Sequence, residues 1–271
     1  MVSPRSQLPA LIGVIHLAAL PGSARYAGNL RAVLDSAARD AEALAEAGFD
    51  GIVVENYGDA PFARGAVGPE TVAAMTAAAR RVRGVAPTLP LGINVLRNDA
   101  RAALAVAVAS EATMVRINVH VGARVTDQGL VEGDAHGTLR YRRELGAEAV
   151  RLLCDVAVKH SAPLAARPIE EEAHELVERG LADAVLVTGT GTGAAVDRGE
   201  LDRVSHALRG EAGRPVYIAS GATIDTLGSY RAAYGAIVGT ALRSSGRAGD
   251  PIDRRLAQAF ATAWSRLHRA R

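Results

Sequence analysis

Short apolar runs rich in Val, Ile and Leu alternate along the chain with longer stretches whose apolar positions recur at helical spacing. An apolar run that stops at a small or polar residue reads as a strand buried on both faces, and the amphipathic stretch after it as the helix that covers it. By this pattern strands are predicted over residues 11–17, 51–55, 91–95, 112–120, 164–167, 184–188, 216–220 and 236–239. Helices are predicted over 30–47, 69–83, 99–110, 143–160, 169–179, 199–209, 223–232 and 251–269. Gly48 stands where a left-handed residue ends the first helix, and Pro69 occupies a first helical turn, where its missing N–H costs nothing. Residues 121–142 form a connection longer than most, which points to a functional loop over one end of the molecule.

Eight β/α units in succession predict one α/β domain spanning 1–271, a (β/α)8 TIM barrel with its ligand site at the C-terminal ends of the strands. An open doubly wound sheet is the alternative, but no G-x-G-x-x-G follows the first strand. The polar residues that end the strands are then the candidate site. They are His16, Glu55, Asn94, Arg116, Asn118, Arg167, Thr188, Ser220 and Thr240. Arg116, Asn118 and His120 alternate on one face of the fourth strand. A buried Arg or Asn is costly unless paired or used by a ligand, so Arg116 and Asn118 either bind substrate or form an internal network with Glu55. Glu55 is the acid/base candidate, with His16 and Asn118 as its catalytic companions, while Asn94, Arg116, Arg167 and Thr188 bind substrate. Asp127, Glu132 and Asp134 on the long connection are placed to close over the mouth.

The last two strands end in turns of small residues, Ser220-Gly221-Ala222 and Gly239-Thr240. Backbone N–H groups left open by such turns, beside a helix start, form an anion site, and these turns follow the strands where barrels commonly hold phosphate. Ser220, Gly221, Ala222, Gly239 and Thr240 are therefore the expected phosphate-binding set.

Composition narrows the classes of function. The 31 basic residues against 29 acidic ones are scattered, which leaves no stripe for nucleic acid. No apolar run reaches the ~18 residues of a membrane span. Arg5 followed by the apolar stretch 8–20 has the outline of a secretory signal, but Pro9 and His16 interrupt it and its loss would remove the first strand, so a cytoplasmic protein is expected. Cys154, the sole cysteine, excludes an internal disulfide and reads as a buried thiol on the helix at 143–160. Lys159, the sole lysine, falls on the same predicted helix. With no lysine at a strand end, Schiff-base chemistry is not expected. His16, Glu55 and His120 lack the spacing of a metal site, so neither metal nor cofactor is expected.

Several blocks resemble the BtpA/SgcQ family of TIM-barrel proteins. They include Ile12 to Ser23, Gly51 to Phe62 (Gly-Ile-Val-Val-Glu-Asn-Tyr-Gly-Asp-Ala-Pro-Phe) and Leu91 to Asp99. Arg116-Ile-Asn-Val, Gly129 to His136, Leu139 to Arg143, Ile218 to Thr223 and Ala236 to Arg243 are similar too. The pair Ala18-Ala19 departs from the Pro-Pro common in that family. The resemblance implies a phosphate-binding barrel, with nucleosidase or sugar-phosphate chemistry, in a family named for a factor in photosystem I accumulation.

Two functions follow as expectations. One is an enzyme on a phosphorylated sugar or nucleotide, with Glu55 serving N-glycosidic cleavage or isomerisation/epimerisation. The other is a non-catalytic assembly factor that retains a ligand-binding mouth. The expected partner is a phosphorylated small molecule, with no nucleic acid, no membrane insertion, and assembly as a homo-oligomer. The final helix, with Leu256, Phe260, Trp264 and Leu267 at helical spacing, is expected to face the core.

Overall fold

In this computed structural model, which describes residues 8–209 and 213–269, eight parallel strands close into a barrel. Arg5 lies outside the described residues. The strands are β1 (Leu11–His16), β2 (Gly51–Glu55), β3 (Leu91–Asn94), β4 (Met114–Ile117), β7 (Arg151–Asp155), β9 (Ala184–Val187), β10 (Val216–Ile218) and β11 (Gly235–Val238). They neighbour one another in sequence order, and β11 closes onto β1 through the pairs Leu11↔Ala236 and Ile12↔Ile237. Every barrel strand is almost wholly buried, which is why each reads as a continuous apolar run.

Helices α1 (Leu30–Ala47), α2 (Pro69–Val85), α3 (Ala100–Ala109), α4 (Ala135–Glu144), α5 (Ile169–Glu178), α6 (Arg198–Ala207) and α7 (Arg254–Arg269) surround the barrel. Asn29 caps α1 by accepting from the Ala32 N–H at 3.0 Å, and Gly48 ends it at φ 83°. Phe260 and Trp264 of α7 are buried against the body, as the helical spacing predicts. Two apolar layers result. One fills the space between strands and helices, and the other fills the barrel itself with Ile12, Val14, Val53, Met114, Leu153, Leu186, Tyr217 and Ile237.

The middle of the chain departs from the sequence reading. The stretch 143–160 is not one helix: α4 stops at Glu144, Gly146 turns left-handed at φ 62°, and Arg151–Asp155 becomes the fifth barrel strand. Gly146 was the stop signal, and Leu152-Leu153-Cys154 is a fully buried apolar run of strand length. Cys154 is buried as expected, but on a strand.

Residues 164–167 are not a barrel strand. Before them β8 (Ser161–Pro163) pairs antiparallel with β5 (Ala123–Thr126), which pairs with β6 (Gly129–Glu132) to make a small three-stranded sheet outside the barrel. The long connection thus carries a hairpin and α4, whose mostly polar sequence hides any helical stripe. The helix expected at 223–232 is a single 3₁₀ turn, Leu227–Tyr230, preceded by Thr223 and Thr226 hydrogen-bonding each other's backbone N–H groups.

Candidate active site

Strand register builds the first part of the site. His16 on β1 pairs with Glu55 on β2, and Glu55 pairs with Asn94 on β3, so the three side chains form one row at the C-terminal rim. The Glu55 carboxylate accepts from Asn94 Nδ2 at 2.6 Å, and its other oxygen faces His16 Nε2 at 3.8 Å. Burial pulls the His16 ring well below the ordinary histidine value, and Arg243, Lys159 and Arg116 push the same way. These effects favour the neutral imidazole over the imidazolium beside Glu55. Its Nδ1 accepts from the Gly249 N–H at 3.4 Å, which leaves the ring proton on Nε2, facing the carboxylate.

The second part lies across the mouth. Arg116 on β4 grips Asp155 on β7 with two hydrogen bonds of 3.1 and 3.0 Å, and Asn118 Nδ2 donates to the same carboxylate at 2.8 Å. Both members of the ion pair are fully shielded from solvent. Asp155 is thus a second strand-end carboxylate beside Glu55, hidden in the sequence by the helix expected over 143–160. It, rather than Glu55, is the partner of Arg116. Asn118 Oδ1 is buried without a hydrogen-bond partner and is an open acceptor. The face shared by Arg116 and Asn118 does not extend to His120. There β4 has already ended, and His120 Nε2 meets the Gly180 carbonyl at 2.8 Å.

A cavity of about 700 Å³ opens over these residues. Glu55, Arg116 and Asn118 line its base; Arg25, Arg97, Asp127, Lys159, His160 and Thr192 come from the loops around it. Asp127, at the tip of the β5–β6 hairpin, meets the expectation that the long connection reaches the mouth. Glu132 and Asp134 do not line this cavity, and Asp134 instead caps α4 through the Gly137 N–H at 2.8 Å.

Sequence reasoning missed Arg97 and Lys159. Arg97 is 4% exposed and donates to the Lys159 carbonyl at 2.7 Å. Lys159 follows β7 by four residues, so the lysine assigned to a remote helix stands at the mouth after all. The mouth thus has the lysine that the sequence alone placed away from it. Burial lowers the Lys159 amine from its ordinary value, with Arg116 and Arg97 adding to the shift and Glu55 and Asp155 opposing it. Among the described residues Arg25, Arg97 and Lys159 have no carboxylate within ion-pair distance.

The other expected site residues do not line this cavity. Thr188 donates to the Ala157 carbonyl at 2.6 Å, and Ser220 Oγ accepts from the Gly189 N–H at 2.9 Å and faces the Ala194 carbonyl at 3.2 Å. Gly221, at φ 63°, lies under residues 194–195, where a Cβ would collide with the Ala194 oxygen. Ala222 is buried in the outer core. Gly239 lies against His16, with 2.9 Å between a would-be Cβ and Cε1, and Thr240 begins a short 3₁₀ turn. Arg167 lies on the flank, forked onto Glu175 at 2.9 and 3.0 Å.

The block that follows Glu55 has a structural explanation. Asn56 accepts from the Leu96 N–H at 2.7 Å and donates to Asp59 at 2.9 Å, while Asp59 accepts from the Leu20 N–H at 2.7 Å. Gly58 sits so close to Leu17 and Ala18 that any side chain would collide. These residues tie the loops after β1, β2 and β3 together and leave Glu55 to face the cavity.

The family model for the BtpA family matches residues 7–266. The chain belongs to the BtpA family. It is 46% identical over 244 residues to the photosystem I biogenesis protein BtpA of Synechocystis, an alignment covering 90% of this chain and 83% of that protein. Among solved structures, the phosphoribosyl anthranilate isomerase of Thermus thermophilus superposes with a TM-score of 0.54 at 14% identity, over 94% of this chain and 98% of that one. KGPDC of Streptococcus mutans gives 0.57 at 12%, over 97% and 100%. These likenesses establish the TIM-barrel fold for this member of the BtpA family and, at such identities, nothing finer. No helix among its described residues is long and apolar enough to cross a membrane.

Proposed function

We propose that the mouth is the active site of an enzyme acting on a phosphorylated sugar or nucleotide, with Glu55 as the acid/base group. The observation that carries this reading is the buried Arg97 guanidinium, which faces the cavity beside Lys159 with no carboxylate in ion-pair contact among the described residues; Asp155, Asp127 and Glu55 act on its charge only from farther away. A buried charge is costly unless paired, and an anionic ligand supplies the missing partner. The phosphate then rests on Arg97 and Arg25, from the loops after β3 and β1, rather than on the turns at Gly221 and Gly239. Glu55, held by Asn94, works across the cavity from it, and the open Asn118 Oδ1 accepts from a sugar hydroxyl. The name of one structural neighbour, a phosphoribosyl anthranilate isomerase, is in keeping with a phosphorylated substrate.

The test is a thermal-shift screen of phosphorylated sugars and nucleotides, each beside its dephosphorylated form. A ligand at a hundred times its Kd adds about 2.7 kcal/mol. The expected result is stabilisation by a phosphorylated compound alone, with Glu55→Gln abolishing turnover of that compound while its binding remains. Turnover unchanged in Glu55→Gln removes this residue from the mechanism.

One observation favours a second reading, a non-catalytic assembly factor. Val125 and Leu130 are exposed and directly opposite across the β5–β6 ladder, with exposed Leu164 just beyond β8. The Synechocystis relative is named for photosystem I biogenesis. A flat ligand screen, with association lost on Val125→Lys, would turn the account to that face.

A further inference from the structure

The chain has 31 lysines and arginines, and lysine appears once. Wherever a cation serves as charge or as a hydrogen-bond donor, arginine has been used. The exception, Lys159, stands in the mouth cavity with Glu55, Arg97 and Asn118 around it. An arginine there would bind an anion at least as well, through its planar fork. What arginine cannot do is lose its proton and attack a carbon.

The surroundings of the amine fit that use. Among the described residues Lys159 Nζ makes no hydrogen bond and no ion pair, so its lone pair is not committed to a neighbour. The backbone around it is fixed: its carbonyl accepts from Arg97, and the next residue donates from its N–H to the Thr190 carbonyl at 3.0 Å. His160 in turn meets the Thr192 hydroxyl at 3.0 Å. Burial loosens the amine's hold on its proton, an effect that Glu55 and Asp155 oppose in part.

The geometry points to Lys159 as a covalent nucleophile that forms an imine with the carbonyl carbon of a phosphorylated aldehyde or ketone, the open-chain form of a sugar phosphate. The inference rests on the reading of the mouth as a sugar-phosphate site. The nitrogen lone pair adds to the carbonyl carbon, making the C–N bond as the C=O π pair moves to oxygen. That oxygen, after protonation, leaves as water. Amine, carbonyl and one proton thus give an iminium ion and water, with no change of oxidation state. The iminium acidifies the neighbouring C–H, and Glu55 is the base in the same cavity that takes that proton. Asn118 Oδ1, buried and without a partner, accepts from the hydroxyl of the intermediate before water departs.

The experiment uses the full chain incubated with dihydroxyacetone phosphate or glyceraldehyde phosphate, and with their unphosphorylated counterparts, in the presence of cyanoborohydride. Intact mass and peptide mapping locate any adduct. Reduction of the imine adds the probe's mass less one oxygen atom, and a single lysine makes the site unambiguous against the terminal amine. The expected result is an adduct on Lys159, about tenfold more abundant with the phosphorylated probes, as 1.4 kcal/mol of phosphate binding gives. It is absent in Lys159→Arg, which keeps the charge. Adduct on Lys159 in equal yield with both probe types upholds the nucleophile and counts against the phosphate reading. Thermal stabilisation by a phosphorylated probe with no Lys159 adduct overturns the nucleophile and leaves the phosphate reading standing. Neither adduct nor stabilisation overturns both. Competitive labelling with acetic anhydride checks the amine without any substrate: Lys159 is expected to react as a neutral amine at lower pH than the free side chain, and ordinary reactivity overturns the inference.

Discussion

The two ends of the barrel treat polar atoms in opposite ways. At the floor, the Tyr217 hydroxyl donates to the Pro9 carbonyl at 2.8 Å and the Tyr234 hydroxyl to the Leu8 carbonyl at 2.6 Å, above a layer of Ile12, Val53, Met114, Leu153 and Ile237. Polar capacity there is consumed within the fold, as buried groups require. At the mouth, the Arg116–Asp155 pair is satisfied in the same way, but the shell above it is not: Asn118 Oδ1 is open, and among the described residues Arg97 and Lys159 face the cavity with no carboxylate in ion-pair contact. The floor is built for stability. The mouth keeps charges that the fold does not need and that a ligand can use.

The sharpest way to break this comparison is to unbalance the satisfied part of the mouth. Asp155→Ala leaves Arg116 buried and unpaired, with an expected loss of about 3–5 kcal/mol in denaturant unfolding; the double variant Arg116→Met, Asp155→Leu is expected to recover most of it. At the floor, Tyr217→Phe abandons the Pro9 carbonyl and is expected to cost about 1–2 kcal/mol while leaving ligand affinity unchanged. A change in affinity there would blur the division between the ends.

Acid titration sharpens the contrast by a smaller amount. The folded His16 ring resists protonation while the unfolded ring binds a proton near 6.5, so stability is complete above that pH and falls as pH drops below it. The slope is at most about 1.4 kcal/mol per pH unit for this group. Burial shifts His120 the same way, so His16→Gln is expected to flatten the acid limb of a Tm profile in part. An unchanged limb would place the titration elsewhere. The smallest stability effect belongs to Arg25→Ala: this side chain is exposed, so unfolding is expected to change by less than about 0.5 kcal/mol, while a phosphorylated ligand binds about tenfold more weakly by calorimetry.

The first three barrel strands were legible because each is an apolar run with one polar residue at its end. His16, Glu55 and Asn94 were found that way, and register then placed them in one row. The fifth unit was not, because Arg151–Asp155 shares its apolar residues with a pattern that also reads as a helix, and Gly146 was the only break between them. That single misplacement hid Asp155 and Lys159 together and supplied the premise, a mouth without lysine, on which imine chemistry was set aside. Arg97 escaped notice for another reason. It belongs to a loop, where no periodicity marks a residue as buried, and only the fold brings it beside Lys159.

Thermal unfolding of wild type and Arg97→Met, without and with the phosphorylated ligand that stabilises wild type most, asks what the buried guanidinium is for. If the mouth holds an unneutralised cation for an anionic substrate, the variant alone melts at or above the wild-type temperature, because a buried unpaired charge has gone, and the ligand no longer shifts it. A variant that melts lower and still responds to the ligand as wild type does would contradict the account: Arg97 would then be part of the scaffold, and the phosphate would be held elsewhere.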